Sequence, residues 1–107
     1  MSNKVMISKE NSNRIRVQGR LSIETVAEYQ RKGFEAMDEV EGHVVFDMSG
    51  SDVVGSAALA LLISWQRRAI ALKKTFVIEN APIPLLEMAE VSGVREIIMF
   101  KDDAVVF

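Results

Sequence analysis

The chain has 107 residues, 49% of them hydrophobic, which is the size of one domain spanning residues 1–107 around a single closed core. Fifteen acidic against thirteen basic residues leave a formal charge of -2, so no net positive field favours nucleic acid or an anionic membrane surface as partner. The absence of cysteine excludes a disulfide framework and thiolate chemistry, which fits a reducing compartment such as the cytoplasm.

In chain order, Val5, Met6 and Ile7 are followed by a polar break over residues 8–13, and Ile15-Arg16-Val17 then alternates as a half-buried strand does. The two strands predict an opening hairpin. Ser22, Glu24 and Thr25 stand before an apolar recurrence at Val26, Tyr29, Gly33 or Phe34, and Met37, which predicts an amphipathic helix over residues 23–37. Residues 43–48, with the apolar run Val44-Val45-Phe46, predict a central strand covered on both faces.

A helix is expected over residues 57–73 and a strand over residues 75–78. Together with the preceding strand they make one crossover unit with two parallel strands and a right-handed connection. Pro82 or Pro84 suits the first turn of a third helix whose inner face is Leu85, Leu86, Met88 and Ala89, closed by Ser92-Gly93. One more helical turn over residues 94–98 and an edge strand over residues 104–107 complete the pattern. It predicts an α/β layer sandwich: a mixed β-sheet with its helices largely on one side.

The most apolar stretch, residues 53–65, is thirteen residues long, short of the roughly 20 that span a bilayer. No secretion signal opens the chain, so a soluble protein is expected. On a helical wheel Ala58, Leu61, Leu62, Trp65, Ala69 and Leu72 share the face that lies on the sheet. Leu59, Ile63 and Ile70 widen that apolar arc, so either the third helix or a partner protein covers a second flank. The remaining face, Ala57 or Ala60, Ser64, Arg67, Ala71 and Lys74, is small at its N-terminal end, where it permits close approach by another macromolecule, and basic further along.

Ser56 directly precedes this helix and is the expected N-cap, its hydroxyl satisfying an N–H of the first turn. The same N–H groups would stabilise a phosphate placed on Ser56. Catalytic chemistry is not expected: the one histidine, His43, has no nucleophile in a recognisable elbow, and residues 49–56 contain two glycines but lack the lysine of a phosphate-binding loop. Asp47 with Asp52, Asp38 with Glu39 and Glu41, and Asp102 with Asp103 lack metal-site spacing and read as loop and turn carboxylates. No metal and no cofactor is expected.

Val45-Phe46-Asp47-Met48-Ser49, followed by Val53-Val54-Gly55-Ser56-Ala57-Ala58-Leu59-Ala60-Leu61-Leu62, resembles the signature of STAS domains, a family that includes the antagonists of anti-sigma factors. Leu86-Glu87-Met88-Ala89 with Ser92-Gly93-Val94 extends the likeness. Ser56 falls on the family's phosphorylatable position, whereas Gly55 stands where the family has an Asp, and Ala57 and Ala58 where it has a Ser/Thr-Gly pair. The run Ala58 to Ala69 is most similar to MlaB-like proteins, the cytoplasmic STAS subunits of the lipid-asymmetry ABC transporter of Gram-negative bacteria. That resemblance implies a non-catalytic subunit bound to a transporter ATPase, reaching the membrane only through that complex, with Asp52, Gly55, Ser56, Ala57, Ala60, Ser64 and Arg67 at the contact. The wider family implies the alternative, an anti-sigma factor antagonist switched by an anti-sigma kinase at Ser56.

Overall fold

The structure, a computed structural model, describes residues 5–101. Its elements are β1 (Met6–Lys9), β2 (Arg14–Leu21), α1 (Val26–Asp38), β3 (His43–Val53), α2 (Ala57–Ala71), β4 (Thr75–Glu79) and α3 (Ile83–Val91). The edge strand expected over residues 104–107 lies outside the described residues.

The sheet runs β1-β2-β3-β4, with β1 antiparallel to β2 and both β2–β3 and β3–β4 parallel. The opening hairpin and the β3-α2-β4 crossover therefore form where the hydrophobic pattern places them. Residues 94–98 make the expected extra turn, Ile97 and Ile98 donating to the Val94 carbonyl, and Phe100 then pairs with Ile78 in parallel.

One face of the sheet carries the core. Ile15 and Val17 of β2 and Val44, Phe46 and Met48 of β3 are fully buried with Tyr29 and Met37 of α1, Leu62 and Trp65 of α2, and Leu85 and Ala89 of α3. Trp65 is the centre of this packing: its indole stacks on Phe46 with ring centroids 4.2 Å apart and planes inclined by 3°. It reaches that position because α1 offers Gly33 opposite it, where an added Cβ would lie 2.2 Å from the indole Nε1. α1 and α2 thus meet through a glycine notch, which fixes the depth of α2 on the sheet.

As expected, β3 is covered on both faces over residues 44–48, all of them buried. Val45 and Asp47 are 7% and 6% exposed, but they point away from the helices toward Arg14 of β2 and Val77 and Glu79 of β4. Long charged side chains spanning three strands shield this face instead of a helix, since Arg14 reaches Asp47 at 3.1 Å and Glu79 at 2.8 Å. Asp47 is accordingly no turn carboxylate but an anchor within the sheet.

Two element boundaries also move. β3 runs five residues past Met48, because Gly50, Ser51, Asp52 and Val53 pair with Gln18, Gly19, Arg20 and Leu21 beyond a register shift at which Met48 and Ser49 stand opposite Val17. α1 begins at Val26 rather than residue 23: the Thr25 hydroxyl donates to the Arg20 carbonyl and accepts from the Ser22 amide, so residues 22–25 form a turn in front of the helix.

Candidate docking surface

The site is the rim where β3 leaves the sheet and α2 begins. Val54 donates its amide to the Leu21 carbonyl at 2.9 Å, the last bond of the β2–β3 ribbon. Gly55 then takes φ +75, a left-handed conformation that a Cβ would oppose, and redirects the chain into α2. An aspartate here, as in the family pattern, would carry strain that glycine avoids.

Ser56 is the N-cap residue and is exposed, as its place in the sequence predicts. The expected capping bond is absent, however. Ser56 has φ -98 and ψ 0, a helical conformation, and a side chain on a helical backbone does not swing over the first turn as one in the extended region does. Its hydroxyl forms no bond to the helix, and the first turn of α2 holds no acidic residue. The amino end of a 15-residue helix is therefore left without a side-chain partner from its own first turn.

Along α2, Ala57 and Ser64 are half-buried and Ala60 and Arg67 exposed, so the small-residue face predicted from the wheel does lie outward. It floors a groove of about 550 Å³ between α1 and α2, lined by Phe34, Ala60, Ile63, Ser64, Arg67 and Arg68. The two arginines differ. Arg68 lies over the Phe34 ring at 5.1 Å and reaches Asp38 at 3.4 Å, whereas Arg67 has no ion-pair partner among the described residues. Asp52, with a side chain 71% exposed, stands on the β3 extension 3.9 Å from Arg20. Residues 52–56 and the outer face of α2 are thus contiguous, and none of the seven expected contact residues is buried.

The flank carrying Leu59, Ile63 and Ile70 has more than one fate. Leu59 is buried beside α3, Ile63 is half-buried at the α1–α2 groove, and Ile70 remains 66% exposed. The third helix covers only the first of these. Sequence reasoning also missed Ile83 and Val91, which are 69% and 88% exposed at the two ends of α3. Their signal was available: both fall outside the stripe of Leu85, Leu86, Met88 and Ala89.

Electrostatics near the rim is dominated by Asp47. Burial pulls its carboxyl upward, but hydrogen bonds from Asn80, from the Ser49 amide and hydroxyl, and from Arg14 outweigh burial and hold it at about 2. Asn80 donates at 3.0 Å from the end of β4, so this carboxylate ties together the chain ends that lead into the rim. Glu79 is lowered as well: burial acts upward, and Arg14 and Lys101 overcome it. His43 is exposed at the opposite end of β3, beside the Thr75 hydroxyl. Among the described residues no group of three or more His, Asp or Glu is placed to hold a metal ion, and no helix is long and apolar enough to cross a membrane.

A sequence profile described as "Mlab, STAS domain" matches residues 7–100. The chain belongs to the STAS family. A comparison with curated proteins found no match. Among solved structures, the chain is similar to a chain of the Acinetobacter MlaFEDB complex in its ATP-bound Vtrans1 conformation, at 18% identity, covering 81% of this chain and 92% of that one, with a TM-score of 0.69. It is similar to an anti-sigma factor antagonist from Mycobacterium paratuberculosis at 14% identity, covering 95% and 90%, with a TM-score of 0.73. The unphosphorylated anti-sigma factor antagonist SpoIIAA gives 16% identity, 95% and 93% coverage, and a TM-score of 0.67. At these identities the likenesses establish the fold alone, shared by the MlaFEDB chain and the anti-sigma factor antagonists alike.

Proposed function

We propose that this STAS domain is a non-catalytic accessory subunit that binds the ATPase of a phospholipid-transporting ABC complex, supports its activity, and so helps maintain outer-membrane lipid asymmetry. The protein would be cytoplasmic and reach the inner membrane only through that complex. One observation carries the reading: an exposed Ser56 at the start of α2, with no capping bond, adjoins a groove floored by Ala60 and Ser64 whose edge holds Arg67, without an ion-pair partner among the described residues. Small side chains let a partner's backbone approach, and Arg67 and Asp52 supply charges that a partner can pair at the rim. The similarity to a chain of the MlaFEDB complex supports the choice of partner.

The test is binding of the purified chain to the transporter's ATPase subunit. Ala60→Arg and Ser64→Arg should each weaken capture while leaving the fold intact, since neither site is in the core. Full binding by both variants would remove this surface from consideration.

A second reading is favoured by the freedom of the Ser56 hydroxyl and by the antagonist relatives. In it, Ser56 is phosphorylated by an anti-sigma kinase, and the added charge of about -1.5 to -2 blocks docking. Intact mass of the protein from native cells distinguishes the two: a phosphoform supports switching, and its absence under every growth condition argues for the transporter role alone.

A further inference from the structure

β4 is the edge of the sheet opposite β1, and the segment that follows α3 runs beside it. Ile78 donates its amide to the Met99 carbonyl at 2.8 Å, and Phe100 stands opposite Ile78 in parallel. In a parallel ladder successive residues turn their N–H and C=O to alternate edges. Thr75 donates toward β3, to the Gly42 carbonyl, and Ile78 donates away from it. Phe76, two residues before Ile78, therefore also faces the outer edge. Carrying the register back by two residues sets Phe76 beside Ile98, and its ladder partners would then be the Ile97 carbonyl and the Met99 amide.

Both of those groups are held by one side chain of α2 instead. The Gln66 carboxamide donates from Nε2 to the Ile97 carbonyl at 2.7 Å, and its Oε1 accepts from the Met99 amide at 3.1 Å. A carboxamide offers a donor and an acceptor as a peptide unit does, so Gln66 takes the place of the β4 backbone. Phe76 makes no backbone bond to this segment among the described residues. An open notch of about 260 Å³ lies there instead, walled by Gln66, Ile70, Phe76 and Met99. The segment is anchored on either side of the gap's inner wall: Ile98 and Phe100 are 2% and 6% exposed, and Lys101 reaches Glu79 at 3.2 Å. Ile97 and Met99 are each 60% exposed, so the peptides that Gln66 holds are the ones with room to move.

We propose that residues 97–99 form a strap with two positions: the open one of this structure, latched by Gln66, and a closed one zipped onto β4. In the closed position Phe76 donates to the Ile97 carbonyl and accepts from the Met99 amide, which fills the notch and extends the ladder. Closing exchanges two hydrogen bonds for two others, so bond count favours neither position, and engagement of Gln66 selects between them. The open position leaves the Phe76 edge of the sheet unpaired beside Ile70, which is 66% exposed; the closed position protects that edge. This device does not depend on the ATPase reading.

The experiment is amide hydrogen exchange, followed residue by residue by NMR, on the purified full chain as wild type, Gln66→Ala and Gln66→Glu. Circular dichroism checks that each is folded, and alanine at this helical position favours the helix. In the wild type, Phe76 should be at least about tenfold less protected than Ile78, whose amide is bonded. In Gln66→Ala the strap closes, so Phe76 should gain about tenfold or more in protection while Met99 keeps its own. Gln66→Glu adds a pH response. Its carboxylate has no donor for the Ile97 carbonyl, so Phe76 should be protected at pH 7; near pH 3, below the ordinary glutamate value of about 4.3, the neutral acid restores donor and acceptor and Phe76 should lose that protection. Phe76 as protected as Ile78 in the wild type overturns the open position, and Met99 losing protection in Gln66→Ala while Phe76 stays unprotected overturns the closed one. Unchanged exchange at both residues in Gln66→Ala, or no pH response at Phe76 in Gln66→Glu, overturns the latch.

Discussion

Replacing Asp47 by Asn tests whether the charged face of the sheet, rather than a covering layer, holds β2, β3 and β4 in register. The Asp47 carboxyl falls from an ordinary 3.8 to about 2 in the folded chain, and at 1.36 kcal/mol per unit that difference is worth about 2 kcal/mol of stability. The side chain is only 8% exposed, so solvent screening removes little of it. Because the folded value is depressed, the contribution is complete above the unfolded value and drains away as pH falls toward 2. Urea unfolding of wild type and Asp47→Asn should therefore differ by about 2 kcal/mol at pH 7 and by about half that at pH 3, where the unfolded chain is already mostly protonated. Asn keeps an acceptor for the Ser49 amide, so the pH-dependent part of the difference isolates the charge that Arg14 and Asn80 stabilise. An equal gap at both pH values would show that Asp47 acts through shape alone, and a gap under about 0.5 kcal/mol at pH 7 would refute the anchor altogether.

Three further substitutions probe other parts of the construction. Gly33→Ala improves helix propensity but drives a methyl into the indole of Trp65, so thermal unfolding should show a loss of about 1–3 kcal/mol with altered tryptophan fluorescence. Lys73 occupies a left-handed φ of 60 just past α2, where its amide and that of Lys74 donate to Ile70 and Ala69; Lys73→Gly should stabilise the chain by about 1 kcal/mol in the same assay. Ser56→Ala should cost less than about 0.5 kcal/mol, well under the ~1 kcal/mol typical of a true capping serine, since no capping bond is lost. A larger loss on urea unfolding would place the hydroxyl on the helix after all.

The elements that could be read from the sequence are those in which one pattern dominates. The apolar stripe from Ala58 to Ala69 of α2 and the alternation around Ile15 are both produced by burial against one core, so periodicity reports them directly. Ser92-Gly93 was equally legible, because Gly93 at φ 76 closes α3 in a conformation that glycine adopts without penalty. The polar end of β3 was not. Ser49, Gly50, Ser51 and Asp52 have turn composition, and only their pairing with a strand thirty residues earlier makes them extended. Asp47 misled for a related reason: it reads as a turn carboxylate but is buried against an arginine from the neighbouring strand, an arrangement that no local window reveals.

Ser56 shows how a correct position can carry an incorrect role. Its place before an apolar helix marks an N-cap, and the structure puts it there, yet the helical backbone at Ser56 leaves the hydroxyl free. That outcome follows from the turn in front of it. Gly55 at positive φ brings the chain off the β3 extension so steeply that Ser56 already belongs to the first turn. A serine that capped its own helix would hold its hydroxyl inward and spend it there, whereas this one is exposed at the rim, where it lines a cavity between α2 and α3. The feature that weakens Ser56 as a structural cap is the feature that leaves it available to a partner, so a Ser56→Ala variant of unchanged stability but reduced ATPase binding would separate the two roles in one protein.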